Sequence, residues 1–157
     1  MPTLSARKKA DIIQAAIAEF QQNGFSGTSM DAIALKAKVS KRTVYNHFPS
    51  KQALFETIAH EVWLKANEAT ALVFNPSAPI KAQLKALALK ELQVFCDDEV
   101  LQLTRVLMVE LMQDSAMAQQ ILARFDEEES SLSVWMQAAK QSGALNVSEP
   151  QEAGAQF

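Results

Sequence analysis

A single cysteine among 157 residues, Cys96, leaves no partner for an internal disulfide. It lies in the apolar run "LQVFC", where a thiol is more often a small buried hydrophobe than a nucleophile. The two histidines, His47 and His60, are too few for a zinc set: Glu56 precedes His60 by one helical turn, but no further His or Cys offers a third ligand. Four glycines form no phosphate-cradling loop, and there is neither a Glu-x-x-His pair nor a nucleophile, histidine and acid set. The expectation is therefore a protein that is not an enzyme, with no catalytic residue, no metal site and no cofactor. No stretch approaches the roughly 20 consecutive apolar residues that cross a bilayer, and the first residues run into an amphipathic segment without a signal-type apolar block. A cytoplasmic protein with no membrane partner is expected.

What the chain has in quantity is apolar residues, 48%, recurring at helical spacing nearly throughout and without alternating Val, Ile and Thr runs. This pattern predicts an all-α fold with ample material for a core. Ile12, Ile13, Ala16, Ile17 and Phe20 form one face of a first helix, about residues 5–23, which Gly24 closes. Thr28, with Asp31 three residues on, reads as the cap of a short second helix, about 29–37, whose stripe is Met30, Ile33, Ala34 and Ala37. Ser40 caps a third helix of barely two turns that Pro49 stops. Ser50 caps a fourth, running to about Phe74 before "NPSAP". Ile80, Leu84, Leu87 and Phe95 mark a fifth, and "DDEV" opens a sixth that is apolar on nearly every side and so expected to be buried all round or sandwiched between neighbours. "DSAMAQQILARFDEEESSLSVWMQAAKQSGAL" reads as one long seventh helix ending at Gly143, and "SEPQEAGAQF" as the start of another.

Charge is segregated along the chain. Residues 1–51 carry eight Lys or Arg against three acids, a net of +5, while residues 52–157 carry seven against fifteen, a net of −8. A basic head on an acidic body points modestly to a polyanion partner for the head. The third helix sharpens that reading. At about 100° per residue, Val44 and Phe48 share one narrow apolar stripe, while Arg42 and Asn46 point away, Thr43 and Tyr45 flank them, and Lys41 stands at the exposed leading end. So little apolar surface does not justify a two-turn helix by burial alone, and its outer face is expected to meet a partner. Two short helices joined through "AKVS" on a supporting third constitute a helix-turn-helix, whose second helix enters the DNA major groove N-terminus first. Ser40, Lys41, Arg42 and Thr43 then supply donors for guanine and phosphate. Tyr45, His47 and Lys51 lie where the groove walls would be, and Thr28 and Ser29 open the second helix, where free amides favour phosphate.

The segment "AAIAEFQQNGFSGTSMDAIALKAKVSKRTVYNHFPSKQALF" resembles the N-terminal domain of the TetR/AcrR family of bacterial transcriptional regulators, over roughly residues 8–60. The resemblance implies a helix-turn-helix DNA-binding domain, residues 1–50, joined through the fourth helix to a helical ligand-binding and dimerisation domain, residues 51–157. It implies a homodimer on a near-palindromic double-stranded DNA operator, usually a repressor released by a small-molecule effector and associated with the bacterial nucleoid when DNA-bound. By position, Lys41, Arg42 and Thr43 match the edge contacting bases and backbone, and Tyr45, His47 and Lys51 match phosphate ligands; Arg42 departs from the glycine often found there. Family members usually continue through two long dimerisation helices, so the C-terminal domain is expected to be short, its dimerisation helices incomplete at Phe157.

Blander readings stand beside these. Tyr45 could pack and His47 could be a plain surface residue, although their neighbours favour contact with DNA. "DEEES" fans around a helix as a solvated face rather than a carboxylate site. Trp63, Phe74, Phe95, Met108, Met112, Phe125, Trp135 and Met136 are first of all core; of these Trp63, Phe95, Met108, Met112, Phe125 and Trp135 are candidates to line an effector pocket. The alternative function is a helical interaction protein whose basic head binds an acidic protein partner.

Overall fold

The computed structural model describes residues 3–126 and 130–145. Among them the chain forms eight α-helices and no strand: α1 (Leu4–Gly27), α2 (Met30–Lys36), α3 (Lys41–His47), α4 (Lys51–Thr70), α5 (Ile80–Phe95), α6 (Asp98–Gln113), α7 (Ser115–Asp126) and α8 (Ser131–Gln141). They group into two compact units. One holds the residues up to Val62 together with Gln102–Ile121; the other holds Trp63–Leu101 and the residues from Leu122 on.

In the first unit, α1 begins at Thr3, whose hydroxyl accepts the Ala6 N–H at 3.2 Å. Its apolar face is buried as the periodicity predicts, through Ile12, Ile13, Ala16, Ile17 and Phe20. Gly24 adopts φ 69°, ψ 169° and interrupts the helix, which resumes for one turn to Gly27. Thr28 is not the cap of α2. Ser29 is, its Oγ accepting the Ala32 N–H at 3.1 Å. Thr28 is buried because its hydroxyl donates back to the Gly24 carbonyl at 2.8 Å, an acceptor that the kink strips of its helical partner. Asp31 does not complete a capping box either; its carboxylate pairs with Lys41.

The turn into α3 is a Schellman closure. The Val39 N–H reaches the Ala34 carbonyl at 3.1 Å and the Lys38 N–H the Leu35 carbonyl at 3.2 Å, with Lys38 at φ 55°. Ser40 and Ser50 cap α3 and α4, accepting the N–H groups of Thr43 and Ala53 at 3.1 and 3.0 Å. Phe48, ahead of Pro49, leaves helical geometry at φ −137°, ψ 111°. Val44, Phe48, Leu54, Phe55 and Ile58 are buried, each contributing about 1.5–3 kcal/mol of apolar transfer.

On α6, burial falls on Leu103, Val106, Leu107 and Glu110, a single stripe at helical spacing. The expectation of burial all round is corrected: Met108, Val109 and Met112 are exposed. Asp97 and Asp114 cap α6 and α7 through the N–H groups of Val100 and Met117.

In the second unit, Leu87, Trp135, Met136 and Ala139 form a buried cluster, with Leu72, Phe74, Ile80, Leu84, Leu132 and Leu145 packed against it. This cluster explains why α4 stops at Thr70 rather than Phe74. Leaving the helix lets Leu72 and Phe74 reach the core, where the Phe74 ring meets Trp135 edge-on at 5.4 Å. The expected long seventh helix is two helices, α7 and α8. Ser130 takes φ −72°, ψ 149° and accepts the Ser133 N–H at 3.1 Å, so a serine N-cap outcompetes helix continuation. Ser131 then fastens the start of α8 to the end of α4: its N–H donates to Asn67 Oδ1 at 2.6 Å and its hydroxyl to the Asn67 carbonyl at 2.9 Å. Gly143 closes α8 at φ 76°. Glu127, Glu128 and Glu129 of "DEEES" and the expected terminal helix in "SEPQEAGAQF" lie outside the described residues.

Candidate nucleic-acid interface

Two buried side chains, Val44 and Phe48, orient α3, and everything else on the helix follows from them. Lys41, Arg42, Tyr45 and Asn46 are exposed, with Tyr45 at 51%, while Thr43 and His47 are half-buried at the sides. At the leading end, the Ser40 and Thr43 hydroxyls bond each other at 2.8 Å. That bond uses one of the two hydroxyl protons, which leaves the other to donate to a phosphate oxygen. Lys41 leans back on Asp31, an exposed pair that a phosphate can displace at little cost. The His47 ring lies 6.3 Å from that of Phe48. Ser29, exposed, caps the start of α2.

Two of the candidate residues face the other way. The hydroxyl of Thr28 is committed inward, as described, so any phosphate contact at this position falls to the backbone and to Ser29. Lys51 directs its ammonium into the protein, donating to the carbonyls of Phe25 and of Thr28, the latter at 2.8 Å, and lying 4.4 Å from the Phe25 ring centroid. A lysine at a helix start reads as exposed from sequence; the apolar stretch of its side chain and three carbonyl or ring partners draw it in.

Sequence reasoning missed the residues at the centre of this arrangement. The Phe25 ring packs on Phe20 and Phe55, at 5.5 and 5.1 Å between centroids, and its backbone N–H donates to Glu110 Oε1 at 2.7 Å across 85 residues of chain. The signal was present in "VLMVELM": one acid on the apolar stripe of a helix must find a donor when buried.

Of the effector-pocket candidates, Trp63 and Phe125 are brought into contact, whereas Met108 and Met112 are exposed. Met108 and Met112 are 54% and 86% exposed on α6, because the buried stripe of that helix runs through Leu103, Val106 and Leu107 instead. In the second unit Trp63 stacks on Phe125 at 5.9 Å, and Trp135 is a core residue whose indole N–H has no protein hydrogen-bond partner. The side chain of Phe95 lies outside the described set. Two cavities open in this unit. One, about 180 Å³, is lined by Trp63, Asn67, Thr70, Glu91, Ser131 and neighbours; the other, about 350 Å³, by Lys65, Lys90, Gln93, Asp97 and apolar residues. Burial pushes the Glu91 carboxyl above its ordinary range, opposed by a hydrogen bond with Thr70.

Residues 12–58 match the family model for bacterial regulatory proteins of the tetR family, and residues 82–157 that of the C-terminal domain of AefR-like transcriptional repressors. A solved TetR family transcriptional regulator from Pseudomonas syringae pv. tomato str. DC3000 is 39% identical, with a TM-score of 0.79 over 96% of this chain and 74% of that one. The chain belongs to the TetR family. Among curated TetR relatives, the transcriptional regulator RutR of Escherichia coli K12 is 40% identical over 85 residues, 52% of this chain. The transcriptional repressor NicS of Pseudomonas putida is 32% identical over 65 residues, 41% of this chain. The matched segments cover 40% and 31% of those relatives' own lengths.

Proposed function

We propose that this TetR-family chain is a sequence-specific DNA-binding transcriptional regulator: a homodimeric repressor, released from a near-palindromic operator when a small-molecule effector binds. Residues 1–50 serve DNA binding and residues 51–157 regulation, and no catalytic role is assigned. The protein acts in the cytoplasm, on the nucleoid when DNA-bound.

The observation that carries the reading is the division of α3 into a buried pair, Val44 and Phe48, and an exposed set, Lys41, Arg42, Tyr45 and Asn46, led by the Ser40 and Thr43 hydroxyls. In a major groove, Arg42 donates to guanine O6 and N7, Lys41 acts chiefly on the phosphate backbone, Asn46 pairs with adenine, and Tyr45, His47 and Ser29 hold phosphates. The repressor assignment leans on the relative NicS, described as a repressor.

Effector release requires a ligand that binds the non-DNA conformation more tightly, and by reciprocity DNA then weakens ligand binding. α4 supplies a continuous element for this coupling, since only three residues separate it from α3 and it runs on to Thr70, beside the cavity at Trp63, Asn67 and Glu91.

The test is selection of duplexes from a random pool by the purified protein, beside Lys41→Ala and Tyr45→Ala, with the mass in solution recorded. An enriched inverted repeat, weakened by both substitutions and bound by a dimer, is the expected result. No enrichment, with binding that ignores sequence, refutes the regulator reading.

A further inference from the structure

We propose that Glu110 is a positioning residue for DNA binding: its carboxylate, reaching from α6, holds the backbone of Phe25 and so fixes the turn on which α2 and α3 are set. The inference rests on the DNA-binding reading above and names a residue remote from the DNA face on which that reading depends.

In an uninterrupted helix the Phe25 N–H would bond the Gln21 carbonyl, four residues back. The kink at Gly24 removes that acceptor, and the first N–H of the new turn is left as an orphan donor. Glu110 Oε1 takes it at 2.7 Å, within the short range of charge-assisted bonds. Glu110 is only 7% exposed and shares its helix face with Leu103, Val106 and Leu107. An apolar residue there would bury at lower cost, so an acid is favoured at this place only for the bond that it makes.

The rest of Phe25 is gripped from elsewhere. Lys51, at the start of α4, donates to its carbonyl and covers its ring; Phe20 of α1 and Phe55 of α4 flank that ring. Thr28 closes the segment onto the Gly24 carbonyl. Gly24, at positive φ, is the soft joint of this segment, since glycine crosses the surrounding conformations at little cost. Bonds from Lys51, Thr28 and Glu110 restrain it, and among the described residues that of Glu110 is the one that comes from beyond α4. Immediately beyond lie Ser29, α2 and the closure that sets α3. Releasing the Phe25 N–H frees the joint, and the recognition surface loses its fixed orientation while its own residues stay intact.

The test compares the wild-type chain with Glu110→Ala, Glu110→Gln and, as a control at an exposed position of the same helix, Gln113→Ala. The probe is the duplex that the wild-type chain enriches from a random pool. Affinity, thermal midpoint and hydrogen exchange at the Phe25 amide are read together. Glu110→Ala is expected to weaken duplex binding about tenfold and speed Phe25 exchange by a similar factor while staying folded at the assay temperature. Glu110→Gln, which keeps an oxygen acceptor, recovers most of both, and Gln113→Ala changes neither. Should Glu110→Ala fail to fold, Glu110→Gln decides, with about threefold weaker binding and faster Phe25 exchange expected. A folded Glu110 variant with wild-type affinity overturns the inference and leaves the DNA-binding reading standing. A wild-type chain that enriches no duplex overturns both, and the exchange measurement then reports a fold contact alone.

Discussion

The ammonium of Lys51 lies 4.4 Å from the centroid of the Phe25 ring while donating to the Phe25 and Thr28 carbonyls, so this cation is spent within the fold. Lys51→Met keeps the apolar stem and removes the donor. It should cost about 1–3 kcal/mol of stability, read from the urea midpoint. The slope of log affinity for duplex against log salt should stay at the wild-type value. A slope shallower by about 0.9 would instead place Lys51 on a phosphate.

Thr28→Val preserves shape and deletes the hydroxyl that satisfies the Gly24 carbonyl. About 1 kcal/mol should be lost, since a buried acceptor is left unpaired, and Thr28→Ser should restore most of it. Chemical denaturation followed by circular dichroism measures both.

Lys38, at φ 55°, is a branched-at-Cβ-free but still strained occupant of a position that suits glycine. Lys38→Gly should stabilise the chain by up to about 1 kcal/mol and raise its thermal midpoint. A lower midpoint would mean that the Lys38 side chain contributes more than its backbone costs.

Burial raises the Glu91 carboxyl above 4.5, and Thr70 only partly offsets this. The folded chain therefore binds this proton more tightly than the unfolded chain does. The associated stability is complete below about pH 4.5 and is lost as pH rises through the raised folded value. Glu91→Gln should remove that decline, flattening denaturation midpoints across the window and leaving the variant more stable than wild type at neutral pH. Equal pH dependence in both proteins would show that Glu91 titrates as it does unfolded.

Arg42, exposed on α3, is expected to read a base, and Lys41 chiefly the backbone field. Arg42→Ala should cost about 1–3 kcal/mol of affinity and relax preference at one position of each half-site. Lys41→Ala should weaken all duplexes alike. Repeating the random-pool selection with each variant separates the two patterns.

Local chemistry made much of this legible from sequence. Ser40, Ser50 and Gly143 do at helix ends what their side chains or lack of one suit them for, and the spacing of Val44 and Phe48 orients α3 without knowledge of any other helix. What stayed hidden depends on distant partners. Phe74 leaves α4 because a cluster built around Trp135 takes it in. Ser130 divides what reads as one helix, and its neighbour Ser131 anchors to Asn67, 64 residues earlier. Met108 and Met112 look like core until the stripe through Val106 and Leu107 decides which side of α6 is covered. Glu110 and Phe25 meet only once the chain has folded.

Both tryptophans, Trp63 and Trp135, belong to the unit that begins at Trp63, and the sole tyrosine, Tyr45, stands on the outer face of α3. Indole emission therefore originates wholly outside the helix-turn-helix, and phenol emission wholly within it. Occupancy of a cavity walled by Trp63 and occupancy of the α3 face register in different chromophores. The unlabelled protein carries a separate chromophore for each of the two binding events proposed for it.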